Sequence, residues 1–269
     1  MFLRSSPELH LKQAMAQGLG KVWHLGKCFR NQGELAAWHH PEFTMLEWYQ
    51  KGIELEHLME QTEELIHHVA AALGPDRAVF ALPKHFTRIS MTEAFKEFAQ
   101  LDLVDGDAGL TRRAKDAGIQ SVKADDDFET AFFKILIEKI EPALHHLGAV
   151  FLHGYPASQA ALATVRGTIA ERFELYLDGI EVCNAFHELT DATEARRRFQ
   201  DTSRRRAALG AVRVPEDPEF FAALDAGLPQ SCGNALGFDR LLGVLIGATS
   251  MDSVIPFRTM APYHLGYHP

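Results

Sequence analysis

Residues 171–191, ERFELYLDGIEVCNAFHELTD, constrain the fold more than any other stretch. Two β-rich runs, FELYL and IEVCNAF, flank Asp178-Gly179, a dipeptide suited to a two-residue hairpin turn. With that turn residue 177 faces 180, and strict alternation puts Phe173, Leu175, Leu177, Ile180 and Val182 on one apolar face. Glu174, Tyr176, Glu181 and Cys183 fall on the other. Two carboxylates on diagonal positions of one sheet face repel unless a cation lies between them. Glutamate and water oxygens suit a hard cation such as Mg²⁺. A helix would also return residues seven apart to one face, but Gly179 and its β-branched and aromatic neighbours oppose that reading.

Around this hairpin the chain reads as an α+β fold, an antiparallel sheet flanked by helices, in one domain over residues 1–269. Ser6-Pro7-Glu8 opens a helix running to Gln17 and stopping at Gly18. Taken alone, Glu8 is a surface carboxylate complementing the helix dipole. Residues 21–29 and 42–50 read as strands joined by a long loop, with Phe43, Met45, Glu47 and Tyr49 on one face of the second. An amphipathic helix over 54–73 follows, then a short strand at 84–89 and a capping box at Ser90–Glu93. The Asp- and Gly-rich stretch 101–126 reads as the least structured part. Helices are expected at 128–140, 190–209 and 215–226, and a strand at 148–153. SCGNALGFDR is a Gly-containing strand running into a helix. The arginine-rich face of the 190–209 helix (Arg196, Arg197, Arg198, Arg204, Arg205, Arg206) reads as solvated. A formal charge of −9 gives no general nucleic-acid footprint. Cys28, Cys183 and Cys232 are odd in number and far apart, which reads as reduced cytosolic thiols and neither a disulfide frame nor a zinc site. No apolar run reaches membrane-spanning length.

Three stretches fit one pattern. FRNQ…HHPEFTMLEWY resembles motif 2 of the class II aminoacyl-tRNA synthetases, and GNALGFDRLLG resembles motif 3. ERFELYLDGIEVCNAFHELTDA is similar to the lysyl branch between them, and within it to the paralogue group that modifies elongation factor P. The resemblance runs from Ser5 to about Phe257, with SPE, PEFTMLEWY, FHELTDA and ALGxDR in order. It implies an antiparallel sheet with ATP bent over its open face. Arg30 and Arg240 match catalytic arginines on either side of the nucleotide. Asn31, Gln32, His40, Phe43, Glu181, Val182 and Gly237 match the rest of the ATP site. Glu174 and Glu181 match Mg²⁺ ligands. Ser6, Pro7, Glu8, Glu47, Tyr49, Asn184, Phe186 and Glu188 match the pocket for a lysine-like substrate. Several carboxylates would then meet its ammonium groups and an amide its carboxylate. The implied reaction is formation of an aminoacyl-adenylate from (R)-β-lysine and transfer to a lysine side chain of elongation factor P.

The family's GxGxGxDR reads here with Ala235 at the middle glycine, which narrows the amino-acid end of the pocket by a methyl group. No anticodon-binding barrel precedes the catalytic region, so tRNA is not the expected acceptor. A lysyl-tRNA synthetase core and a catalytically weak ATP- or lysine-binding module are the alternatives. The family's motif 1, which builds its homodimer, has no counterpart in this sequence; a weaker dimer or a monomer with exposed apolar residues on the first strands is expected. Strict alternation would send Asn184, Phe186 and Glu188 to the face opposite Glu181. The implied pocket therefore requires one extra residue, a β-bulge, between Glu181 and Asn184.

Overall fold

The computed structural model describes residues 3–30, 36–208, 210 and 215–257; Asn31 and Gln32 lie outside the described residues. An opening helix, α1 (Glu8–Ala16), precedes strands β1 (Lys21–Phe29) and β2 (Glu42–Lys51). Helix α2 (Leu55–Leu73) ends at Gly74 with φ of 80°, a backbone region that glycine enters without a Cβ penalty. Strand β3 (Thr87–Ser90) leads into α3 (Met91–Ala94), where the capping box forms: the Ser90 hydroxyl accepts from the Glu93 N–H and Glu93 accepts from the Ser90 N–H. Helices α4 (Leu110–Asp116), α5 (Phe128–Ile135) and α6 (Glu141–His145) then precede β4 (Ala149–Pro156). Asp127 caps α5 through the Thr130 N–H. Strands β5 (Val165–Arg166), β6 (Ile169–Leu177) and β7 (Ile180–His187) follow. The chain continues through α7 (Ala192–Ala208), α8 (Pro218–Gly227), β8 (Ser231–Gly237) and α9 (Phe238–Leu245).

The strands form one sheet in the order β1-β2-β8-β7-β6-β4-β3, with β5 paired to β6. All pairs are antiparallel except β3 and β4, so the sheet is mixed at that edge. The 101–126 stretch, expected to be the least structured part, holds one short helix, α4, among turns. Leu110 and Ala114 are buried and tie α4 into the core, an anchor that its Asp and Gly content masks.

The two faces of the sheet differ. On one, Phe151, Phe173, Leu175, Val182, Cys183, Cys232 and Leu236 bury against Leu58 and Ile66 of α2 and Leu241 and Leu245 of α9. On the other, two separate clusters stand at opposite ends. One gathers Val150, Leu152, Tyr155 and Tyr176 with α3, α4 and α5. The other gathers Tyr49 with Met15 of α1, Ala195 of α7 and Phe220 of α8. Between them β2, β8, β7 and β6 form an open floor. At the free edge, Trp23 of β1 is 72% exposed and Leu25 is exposed with it, as expected for the first strands.

Within the described residues, five of the arginines of α7 are engaged in ion pairs. Arg196 meets Asp225, Arg197 and Arg198 meet Glu194, Arg204 meets Asp201, and Arg205 meets Glu129. Arg198 also donates to the carbonyls of Ala161 and Ala163, which pins the loop ahead of β5. The three cysteines are free and buried, and no described helix is long and apolar enough to cross a membrane.

Candidate active site

The hairpin turn forms as its dipeptide dictates. Asp178 and Gly179 have φ of 53° and 75°, and Leu177 faces Ile180. Beyond it the ladder breaks once: Tyr176 pairs with Glu181, but Leu175 pairs with Cys183. Val182 is the extra residue, and it packs with Cys183 into the α2–α9 core. The required β-bulge therefore lies where the pocket needs it. Cys183 moves to the apolar face, contrary to strict alternation. Asn184, opposite Glu174, joins the polar face with Glu181.

One row of paired residues then crosses the floor: Glu47 on β2 faces Ala235 on β8, Ala235 faces Asn184 on β7, and Asn184 faces Glu174 on β6. A second row, two residues along, runs Tyr49, Gly233, Phe186, Arg172. Gly233 is required for space. A Cβ there would overlap the Tyr49 ring and stand 2.6 Å from Glu188 Oε1.

At the β2 end the predicted amino-acid residues converge. The Ser6 hydroxyl donates to both Glu47 oxygens at 2.8 and 3.1 Å and accepts from the Glu8 N–H at 2.9 Å. Ser6 thus sits one residue ahead of the helix cap, now Pro7, and fastens α1 to β2. Glu47 and Glu188 are each 1% exposed. Burial pushes both carboxyls up to about 7, with the charge of Glu8 adding to the rise; the Ser6 hydrogen bond opposes it at Glu47 and Lys12 at Glu188. Lys12, absent from the sequence reading, completes the group. Its ammonium lies 2.6 Å from Glu188 Oε2 and 2.5 Å from Glu8 Oε1. Burial alone would lower its pKa, but Glu188 and Glu8 outweigh it and hold the ammonium charged. The signal that could have found Lys12 is its position one helical turn beyond Glu8, on the same face of α1.

At the β6 end Glu174 Oε1 accepts from Arg172 at 2.6 Å and from Asn184 at 3.3 Å, while Oε2 accepts from the Tyr176 hydroxyl at 2.8 Å. Arg172 itself stacks over Tyr155 at 4.2 Å and Phe186 at 5.4 Å. These partners fix the carboxylate's direction. The Glu181 side chain is 41% exposed, yet partial desolvation by the surrounding strands and the nearby charge of Glu174 raise its pKa, so an added cation is favoured there. Two hard carboxylates fit Mg²⁺, which takes one or two protein carboxylates and fills the rest of its shell with phosphate and water oxygens. Among the described residues no cluster of three or more His, Cys, Asp or Glu is disposed to hold a metal.

Asn184 differs from expectation. Its Nδ2 donates to the Glu174 carboxylate, which needs a donor, and its Oδ1 is buried without a hydrogen-bond partner. It offers an acceptor, which suits an ammonium and not a substrate carboxylate.

The nucleotide residues lie on the adjoining elements. Arg30, at the end of β1, stands 5.2 Å over the Phe43 ring, and its N–H donates to the Pro41 carbonyl. His40 Nδ1 lies 2.7 Å from the Glu42 carbonyl and shapes that loop end. Arg240, in the first turn of α9, donates to the carbonyls of Trp38 and Glu181 and meets His39 Nε2 at 3.0 Å. It thereby ties the loop before β2 to the bulged strand. A Cβ on Gly237 would meet only the Arg240 stem, at 3.6 Å.

The chain belongs to the class II tRNA synthetase family (D, K and N), whose sequence model matches residues 1–261. Its curated relatives are more particular. It is 34% identical to the elongation factor P–(R)-β-lysine ligase of Proteus mirabilis (strain HI4320), over 96% of this chain and 77% of that protein. The ligases of the same name from Hamiltonella defensa and Enterobacter sp. (strain 638) are 34% and 37% identical over the same shares.

Proposed function

We propose that this protein is an ATP-dependent aminoacyl ligase that activates (R)-β-lysine and transfers it to a lysine side chain of elongation factor P in the cytoplasm. The observation that carries the reading is the row from Glu47 to Glu174. It has the buried Glu47 at one end of an open floor and Glu174 at the other, which supports an ammonium site at the first and a metal site at the second, within a family whose members activate amino acids with ATP. The Ala235 methyl stands on that floor between Glu47 and Asn184, which supports a substrate whose amino group is placed differently from that of α-lysine. The ligase names of the relatives favour a protein acceptor over tRNA charging or a binding-only role.

In this mechanism the floor positions the amino acid so that its carboxylate attacks the α-phosphorus in line, releasing pyrophosphate. Glu47, Glu8 and Asn184 Oδ1 hold the ammonium groups, with the Tyr49 and Phe186 rings in the neighbouring row beside them. Arg30, over Phe43, grips the α-phosphate, and Arg240 meets the outer phosphates. Mg²⁺ held by Glu181 and Glu174 would neutralise charge on the phosphates. No enzyme nucleophile is needed, and rate comes from positioning and electrostatics. The acceptor amine then attacks the adenylate carbonyl and releases AMP. ATP–pyrophosphate exchange with α-lysine and β-lysine in turn tests the first step, and mass analysis of elongation factor P tests the second. Exchange with neither isomer would refute activation; exchange without a mass gain on the factor would refute the acceptor.

A further inference from the structure

Glu188 stands one residue beyond β7, where the regular ladder ends. On one side its N–H donates to the Ser231 carbonyl of β8 at 2.9 Å. On the other it is held by residues 157–164, a strap that joins β4 to β5. Ala163 forms a β-bridge with Glu188, and the Thr164 hydroxyl donates to the Glu188 carbonyl at 2.9 Å. The Thr164 N–H donates to the His187 carbonyl at 2.7 Å, and the Leu189 N–H to the Leu162 carbonyl at 2.9 Å. The far end of the strap is fastened as well. Its Gln159 carbonyl accepts from Arg172, whose guanidinium stacks over the Phe186 ring. The strap therefore backs a buried carboxylate and an aromatic wall of the same pocket. Its middle is strained: Ala161 has φ of 47°, a left-handed region that penalises any residue with a Cβ. Ala161 is exposed, so packing of its methyl group does not offset the penalty. Arg198 of α7 does. Its Nη1 donates to the Ala161 carbonyl at 2.8 Å and to the Ala163 carbonyl at 2.9 Å, while its Nε donates to Glu194 at 2.7 Å.

We infer that Arg198 is a positioning residue for the amino-acid pocket: by gripping two strap carbonyls it keeps Ala161 in the left-handed region and so fixes where Glu188 stands. The inference rests on reading this pocket as the amino-acid site. Arg198 acts through backbone, from guanidinium to strap and from strap to Glu188. A charged donor suits the task, because its bonds to the carbonyls are stronger than a neutral donor's. Glu194 balances that charge, and Glu194 also pairs with Arg197, so removing Arg198 does not strand it. Without Arg198 nothing offsets the Ala161 penalty; the strap relaxes and Glu188 loses its backing. Glycine at position 161 enters the left-handed region without penalty, so it should hold the strap's shape where Arg198 is missing. Arg30, Phe43 and Arg240 stand on β1, β2 and α9, away from the strap, so nucleotide binding should not follow the change.

The test is a double-mutant cycle of Arg198→Met and Ala161→Gly, read by pyrophosphate exchange with lysine and β-lysine. Arg198→Met is expected to raise KM for the amino acid at least fivefold while KM for ATP stays within twofold of wild type. Ala161→Gly alone is expected to stay within twofold on both. In the double variant, glycine is expected to recover at least threefold of the lost amino-acid KM. An Arg198 that serves only to hold α7 would raise both KM values together, or would leave a defect that glycine does not repair; either result overturns the proposal. A second arm needs no turnover. Hydrogen exchange followed by mass spectrometry is expected to show the 157–165 peptide exchanging at least tenfold faster in Arg198→Met. Slower exchange should return in the double variant, with the 218–227 peptide of α8 unchanged throughout. If Arg198→Met does not fold, Arg198→Lys replaces it. A lysine keeps the charge beside Glu194 but lacks the guanidinium fork, so a smaller rise in amino-acid KM, repaired by glycine, is expected, and an unmoved KM overturns the proposal. Wild type inactive with both amino acids would refute the functional reading. The exchange of the strap would still decide the place of Arg198, and a flat response there overturns it.

Discussion

Replacing Glu47 with glutamine should make the protein more stable while making it inactive. Glu47 is 1% exposed and its carboxyl is pushed up from 4.5 to about 7, mainly by burial. A rise of that size corresponds to about 3 kcal/mol between the two protonation states. Below the unfolded-state value both native and unfolded chains hold the proton, and Glu47 costs the fold nothing through ionisation. As pH climbs from there to about 7 the unfolded chain has released its proton while the native chain keeps it, so stability falls. Above about 7 the loss is complete. Glutamine does not titrate, and its amide oxygen can still accept the Ser6 hydroxyl. The Glu47→Gln variant should therefore gain on wild type as pH rises, by about 3 kcal/mol between roughly pH 4.5 and 8. For a chain of this size that is a relative Tm gain of about 5–10 °C. Denaturant or thermal melts across that range, in the absence of substrate, measure it. Pyrophosphate exchange with lysine or β-lysine should fall by at least a hundredfold. A Tm difference that is flat across the range would refute the assignment of Glu47 as a carboxylate held ready for a cation.

Glu188→Gln should destabilise the fold as well as impair catalysis, by about 3–5 kcal/mol, because it strips the buried Lys12 ammonium of its closer-sealed partner; an unchanged Tm would remove the pair from the core. Gly233→Ala should cost about 1–3 kcal/mol through overpacking against Tyr49 and Glu188, read as a shifted urea midpoint together with a raised KM for the amino acid. Glu181→Gln should raise the Mg²⁺ concentration for half-maximal exchange at least tenfold while leaving the fold intact, since the side chain is 41% exposed; an unchanged Mg²⁺ dependence would take Glu181 out of the metal site.

Most of the sheet was legible because its cues are local. Asp178-Gly179 specifies its turn, Ser90 and Glu93 specify their capping box, and alternation marks β1 and β2 to within a residue. The bulge at Val182 was legible only by combining levels. No local residue announces it, but the demand that Glu181 and Asn184 share a face requires one added residue. What remained hidden was non-local pairing. The parallel edge of β3 and β4 depends on where the intervening helices return the chain, and α4 is held by burial of Leu110 and Ala114 that composition does not reveal. Lys12 was missed for a related reason. A lysine in an amphipathic helix reads as surface, and only the approach of β7's end brings Glu188 to it. The direction of the Asn184 amide was likewise set by a neighbour, Glu174, which faces it from the adjacent strand of the hairpin only because of the bulge.

The row from Glu47 through Ala235 and Asn184 to Glu174 lies across the strands, not along one. Neighbouring strands are held about 4.7–4.9 Å apart by their hydrogen bonds, so the outer members of the row are separated by three such steps, about 14 Å. The backbone thus works as a graduated ruler whose markings no substitution can move. A relative that accepts a longer or shorter amino acid cannot stretch this sheet to do so. It can change only how far side chains reach from the fixed marks, which confines the evolution of substrate length to a few positions at the two ends and to the single methyl at the middle.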